Sequence, residues 1–232
     1  MTLTIKEQFC GPPGTGNGGY VCGLLAKSLG TWPVEITLRK PVPLTTELEV
    51  RKDGEGMALF LRDEVLATAR AAGLDLDVLE PPTRTEAREA SKGFLGFHQL
   101  EHPYERCFVC GPAREAGDGM RIFAGPLKNG GGAATVWTPE DWQADDDGNI
   151  GTAFVLGALD CPGYFSQFPD ANQHALLGRM TAEIITPLKA GEDYIVYGWP
   201  VAVEGRKHFV GTALYGAGGV CAARAISIWF PV

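Results

Sequence analysis

Gly11-Pro12-Pro13-Gly14-Thr15-Gly16-Asn17-Gly18-Gly19-Tyr20 is the stretch of this sequence best suited to chemistry. Gly11 and Gly16 stand at the spacing of G-x-x-x-x-G-K-[ST], a phosphate-binding loop. That chemistry needs a lysine for the terminal phosphates and a hydroxyl for magnesium. Asn17 and Gly18 occupy the two positions instead, which argues against a nucleotide. What remains is a glycine-rich loop that opens a helix, a cradle for an anion or a developing oxyanion. A plainer role is also open: Asn17 caps the helix and the glycines permit a tight turn. The two roles are compatible.

Asp160 is the second candidate. It lies in Ala158-Leu159-Asp160-Cys161-Pro162, an apolar setting in which a carboxylate is costly unless used or paired. Burial raises such a pKa and suits a general base. Alternatively, the carboxylate caps backbone freed by Pro162. The third candidate is His98-x3-His102-x4-Cys107-x2-Cys110, four zinc-capable side chains at a spacing unlike the common fingers. Cys10, Cys22, Cys161 and Cys221 lie in or beside apolar segments and read as small buried thiols in a reducing compartment.

The elements that position these residues read as two similar halves: 1–80 and 107–232, with a linker at 81–106. Each is an α+β unit, one helix followed by an antiparallel meander. In the first, a strand at 2–9 leads through the glycine loop to a helix whose apolar stripe is Tyr20, Val21, Leu24, Leu25 and Leu29, closed by Gly30. Strands follow at 34–38, 46–51, 56–62 and 64–73. The linker is polar and wraps the surface, with a short helix at 84–92. In the second half, strands at 120–123 and 133–137 precede the acidic loop 144–149. Then comes a helix marked by Phe154, Val155, Ala158 and Leu159, which Pro162-Gly163 kinks or ends. Strands follow at 179–187, 192–203, 206–215 and 219–231.

Composition narrows the function classes. The 232 residues are 45% hydrophobic, ordinary for a globular chain. A net charge of -8 disfavours nucleic acid. No apolar run approaches the roughly 20 residues that span a bilayer, and Met1–Phe9 lacks the apolar core of a secretory signal.

The repeated unit resembles the hotdog fold, and the whole is similar to a double-hotdog protein of the acyl-CoA thioesterase superfamily. Asn17-Gly18-Gly19 is similar to the His-Gly-Gly that opens the hotdog helix in phenylacetyl-CoA-type thioesterases. Cys107-Phe108-Val109-Cys110-Gly111-Pro112, with Gly117-Asp118-Gly119-Met120-Arg121, resembles the CxxCG…GL start of many hotdog units. Gly205-Arg206-Lys207 and Gly218-Gly219-Val220-Cys221-Ala222 resemble positions in the last three strands.

The resemblance implies two tandem units, each a helix wrapped by a curved sheet, hydrolysing an acyl-CoA. In the family the acid follows the His-Gly-Gly histidine by nine positions. Ala26 stands there in the first half, whereas the second half keeps Asp160 without a His-Gly-Gly-like start. One composite site is expected, with Gly18 and Gly19 as oxyanion donors and Asn17 as a neutral donor. Asp160 is its base or nucleophile. Tyr20, Phe154 and Tyr164 are expected to line the acyl pocket. Arg39, Lys40, Arg179, Arg206 and Lys207 are candidates for the CoA phosphates. No cofactor or metal, a cytoplasmic location and a homo-oligomer are expected, with no nucleic-acid or membrane partner. The rival is a hotdog pseudoenzyme that binds an acyl ligand without turnover, favoured by Asn17 in place of histidine. A hydratase is disfavoured, because its Asp-x4-His pair would put histidine where Phe165 stands.

Overall fold

The computed structural model describes residues 1–98, 104–170 and 173–232. The first half contributes β1 (Thr2–Thr4), α1 (Gly18–Leu29), β2 (Val34–Leu38), β3 (Glu47–Asp53), β4 (Gly56–Leu61) and β5 (Glu64–Ala71). The connecting segment carries α2 (Arg84–Ser91) and α3 (Leu95–His98). The second half contributes β6 (Gly125–Pro126), β7 (Ala133–Trp137), α4 (Thr152–Ala158), α5 (Cys161–Gln167), β8 (Ala175–Ile184), β9 (Tyr194–Glu204), β10 (Lys207–Tyr215) and β11 (Cys221–Pro231).

The eleven strands of the described residues form one antiparallel sheet in the order β1-β3-β4-β5-β2-β8-β11-β10-β9-β7-β6. The halves meet at β2 and β8, where Val34 faces Ala182 and Ile36 faces Met180, all four buried. Alternation sets which faces go inward: Leu48 and Val50 of β3 are buried while Glu47 is exposed. The main core runs through both halves, from Ile5, Leu25 and Leu66 to Leu156, Met180 and Leu214. Among the described residues no helix is long and apolar enough to cross a membrane.

α1 begins as its sequence dictates. Asn17 Oδ1 accepts the Tyr20 N–H at 2.9 Å, satisfying one donor that the first turn leaves open. Gly30 ends the helix in the left-handed region, φ 71°, donating its N–H to Ala26.

Several elements differ from the sequence reading. The strand expected at 2–9 stops at Thr4, and Glu7–Phe9 form a single 3-10 turn. Residues 120–123 form no strand; the Met120 and Ile122 N–H groups bond the Phe108 and Val109 carbonyls, and the short β6 follows instead. Pro162 starts a helix rather than closing one. It sits in the first turn of α5, where a missing N–H costs nothing, and α4 has already ended at Ala158. The polar connecting segment is also partly core. Ala87 and Ala90 of α2 pack with Ala134, Ile195 and Trp199, and Phe94 is fully buried.

Candidate active site

The two longest-range features of the sequence reading meet where α1 crosses α4. Gly19 and Gly23 make that crossing possible. A Cβ on Gly19 would stand 2.5 Å from Asp160 Cβ, and one on Gly23 would overlap Ala153 Cα. Helix backbones can approach this closely only where side chains are absent.

Asp160 occupies the junction between α4 and α5 and is 2% exposed. Its Oδ2 accepts the Gly19 N–H at 2.9 Å and the Asn17 Nδ2–H at 3.0 Å. Its Oδ1 is buried and has no hydrogen-bond partner among the described residues. Burial pushes the Asp160 pKa to about 7. The Gly19 bond opposes this, the negative charge of Cys107 adds to it, and the Asn17 bond again lowers it. Asn17 thus uses both ends of its amide, the oxygen as the α1 cap and the nitrogen on the acid.

Beside the carboxylate lie three thiols. Cys107 and Cys161 Sγ are 3.9 Å apart, and Asn17 Nδ2 is 3.8 Å from Cys107 Sγ. The thiols of Cys110 and Cys161 donate towards Cys107, holding it well below the usual thiol range and pushing their own pKa values up. Cys161 is the residue that sequence reasoning missed here. The signal was its place next to Asp160, but nothing in the sequence joins it to the Cys107/Cys110 pair.

These groups open onto a cavity of ≈ 520 Å³ whose wall includes Asn17, Gly18, Asp160, Tyr164 and the three thiols. Gly18 begins α1, so its N–H has no carbonyl one turn earlier in the helix to bond. The apolar wall includes Leu38, Leu177, Phe165, Trp229 and Phe230. A wall this apolar, with few convergent polar groups, is typical of a small-molecule site.

Solved structures share this architecture. A candidate thioesterase II from Thermobifida fusca YX superposes with TM-score 0.60 at 14% identity, covering 100% of this chain and 91% of the other. The tesB protein of Mycobacterium avium subsp. paratuberculosis superposes with TM-score 0.62 at 10% identity, covering 100% and 92%. A candidate thioesterase from Novosphingobium aromaticivorans DSM 12444 gives 0.62 at 12% identity, covering 99% and 94%. The fold is the hotdog-like α+β fold of these structures. Identities this low speak for the fold alone. No protein-family model matches the sequence, and the comparison with curated proteins finds no match.

Within this hotdog-like fold the other candidate residues are placed as follows. Tyr164 lines the cavity, its hydroxyl donating to the Gln173 carbonyl at 2.6 Å. Tyr20 and Phe154 do not line it. Tyr20 stacks on Phe9 at 4.3 Å and meets Phe154 at 5.7 Å in an aromatic cluster on the other side of α1. Two residues after Gly18, Tyr20 is turned by roughly 200° around the helix. Arg39, Lys40, Arg179 and Lys207 border the cavity. Lys40 pairs with Glu64 and Arg179 with Glu35, whereas Arg39 and Lys207 have no ion-pair partner among the described residues. Arg206 stands away from the wall and donates to the Pro231 carbonyl. Of the proposed zinc ligands, the His98 side chain and His102 lie outside the described residues. Cys107 and Cys110 lie in the cavity wall.

Proposed function

We propose that this chain hydrolyses an acyl-CoA thioester at one composite site between two tandem hotdog units. The observation that carries the reading is Asp160 Oδ1, without a partner among the described residues and buried in an apolar cavity wall beside the start of α1. A carboxylate so placed is unfavourable for stability and suited to accepting a proton.

In this reading the acyl group lies along the apolar wall with its carbonyl oxygen towards the Gly18 N–H and the positive end of α1. Asp160 Oδ1 removes a proton from water as the water oxygen attacks the carbonyl carbon. The carbon–sulfur bond then breaks and the CoA thiolate leaves. Asn17 and Gly19 act as positioning residues: by holding Oδ2 they fix the carboxylate and leave Oδ1 as its uncommitted oxygen among the described residues. This changes the roles expected from the sequence, because the Gly19 N–H and the Asn17 amide are spent on the acid rather than on substrate. Arg39 and Lys207, which have no ion-pair partner among the described residues, supply positive charge for the CoA phosphates.

The test is release of free thiol from a panel of acyl-CoAs. Asp160→Asn is expected to lower the rate by roughly 100-fold or more, the usual contribution of a positioned base. Equal rates for both proteins on every substrate would remove Asp160 from the chemistry. The rival reading, an acyl-ligand binder without turnover, is favoured by that same engagement of Gly19 and Asn17, which leaves few free donors for an oxyanion. It predicts no thiol release together with a raised melting temperature in the presence of an acyl-CoA.

A further inference from the structure

The geometry points to a second use of the cavity wall: Cys107, Cys110 and Cys161 form a site for a thiophilic divalent cation such as Zn²⁺, held by three sulfurs with its fourth position open to the cavity. The three Sγ atoms lie within 4.8 Å of one another. A tetrahedral ion with Zn–S bonds of about 2.3 Å spaces its sulfurs about 3.8 Å apart. The Cys107–Cys161 separation of 3.9 Å already matches that edge. All three are free thiols, so no disulfide competes for them.

The backbone supplies these ligands from two rigid places. Cys107 and Cys110 are presented by one turn, closed by the Gly111 N–H on the Cys107 carbonyl at 2.8 Å. That C-x-x-C spacing sets two thiolates on one ion. Cys161 is the first residue of α5, 54 positions from Cys107. All three residues belong to the cavity wall, the side on which the proposed fourth position opens. Three protein ligands and one exchangeable position is the arrangement in which zinc keeps a place for water or an entering ligand.

The surroundings suit the resulting charge. Three thiolates and a divalent ion leave one excess negative charge, which needs nearby donors in so buried a place. Asn17 Nδ2–H points at Cys107 Sγ, and the positive end of α1 lies alongside. The same amide reaches Asp160, whose Oδ1 has no partner among the described residues and can accept a hydrogen bond from a water on the ion. On binding, each S–H bond gives way to a metal–sulfur bond and its proton leaves to solvent; no electron is transferred. The site is independent of the hydrolytic reading, since it needs no thioester to fill.

The experiment is a titration of the reduced, chelator-treated full chain with Co²⁺, followed by Zn²⁺. One equivalent of Co²⁺ is expected to produce sulfur-to-cobalt charge-transfer absorption and tetrahedral visible bands, which Zn²⁺ then removes. Cys161→Ser is expected to weaken Co²⁺ binding about 10-fold or more, while Cys221→Ser, outside the cluster, leaves it unchanged. Because Cys161 is buried and its variant can misfold, X-ray absorption on the Zn²⁺-treated wild-type protein provides the second measurement, with three sulfur neighbours expected. No charge-transfer band, fewer than three sulfurs, or equal binding by a folded Cys161→Ser would overturn the proposal.

Discussion

At the scale of single residues, Asp160 concentrates the physics of the site. One carboxylate oxygen is held by Gly19 and Asn17 and the other is left without a partner among the described residues. The folded pKa of about 7 lies above the unfolded value of 3.8. The folded protein therefore binds this proton more tightly than the unfolded chain. The sign follows: stability from this group is greatest below pH 4 and is lost as pH rises towards 7. The loss is on the order of 4 kcal/mol at full ionisation. Asp160→Asn keeps an oxygen for the Gly19 N–H and cannot ionise. With a chelator present, the variant should match or trail wild type near pH 4.5 and exceed its melting temperature at pH 8. A stability difference that does not change between the two pH values would sink this account.

How legible were these residues in the sequence? Asp160 stood out because a charge in an apolar run is expensive, and Asn17-Gly18-Gly19 because glycines at a helix start serve few purposes. Their meeting rested on the family resemblance, since no local pattern connects residues so far apart. Tyr20 was misplaced because an apolar stripe says which face is buried, not whether it meets a cavity or another ring. The third thiol was illegible for the same reason: C-x-x-C is a local pattern, and Cys161 joins it only through the chain's path.

At the scale of elements, the α1–α4 crossing is the tightest joint near the site. Gly23 faces Ala153 with no room for a methyl, whereas a Cβ on Gly30 would meet nothing within 4 Å. The two glycines are conserving different things, space at Gly23 and a positive φ at Gly30. Gly23→Ala should cost about 3 kcal/mol, at the upper end of overpacking. Gly30→Ala should cost only about 1 kcal/mol, for the left-handed backbone. Urea midpoints measure both, and the explanation fails if Gly23→Ala is the milder change. Most strands were legible from period-two alternation, as with Leu48 and Val50. Residues 120–123 were not, because Met120, Ile122 and Phe123 are all buried without belonging to the sheet. Burial on its own does not reveal whether a backbone bonds a strand or a turn.

At the scale of the molecule, the two halves share a sheet through β2–β8 and a core through α1–α4. Continuous burial across the boundary predicts one cooperative unfolding transition. Far-ultraviolet dichroism and tryptophan fluorescence should give coincident denaturation curves, although Trp32 lies in the first half and Trp199 and Trp229 in the second. Two separated transitions would mean that the halves are thermodynamically independent. The α+β character and most of the element order were readable in the sequence. The connecting segment's part in the core was not, because Phe94, Ala87 and Ala90 are too few and too scattered to form a periodic signal.

The same joint has a consequence in time. Gly19 is made 141 residues before the aspartate it must touch. At about 5–20 residues per second, the ribosome takes roughly 7–28 seconds to cover that distance. Throughout this interval the glycine face of α1 has nothing to lie against. The edge of β2 that will pair with β8 is open as well, a bare row of backbone donors and acceptors. The most exposed period in the life of this protein is therefore the wait, while still being synthesised, for its own second half.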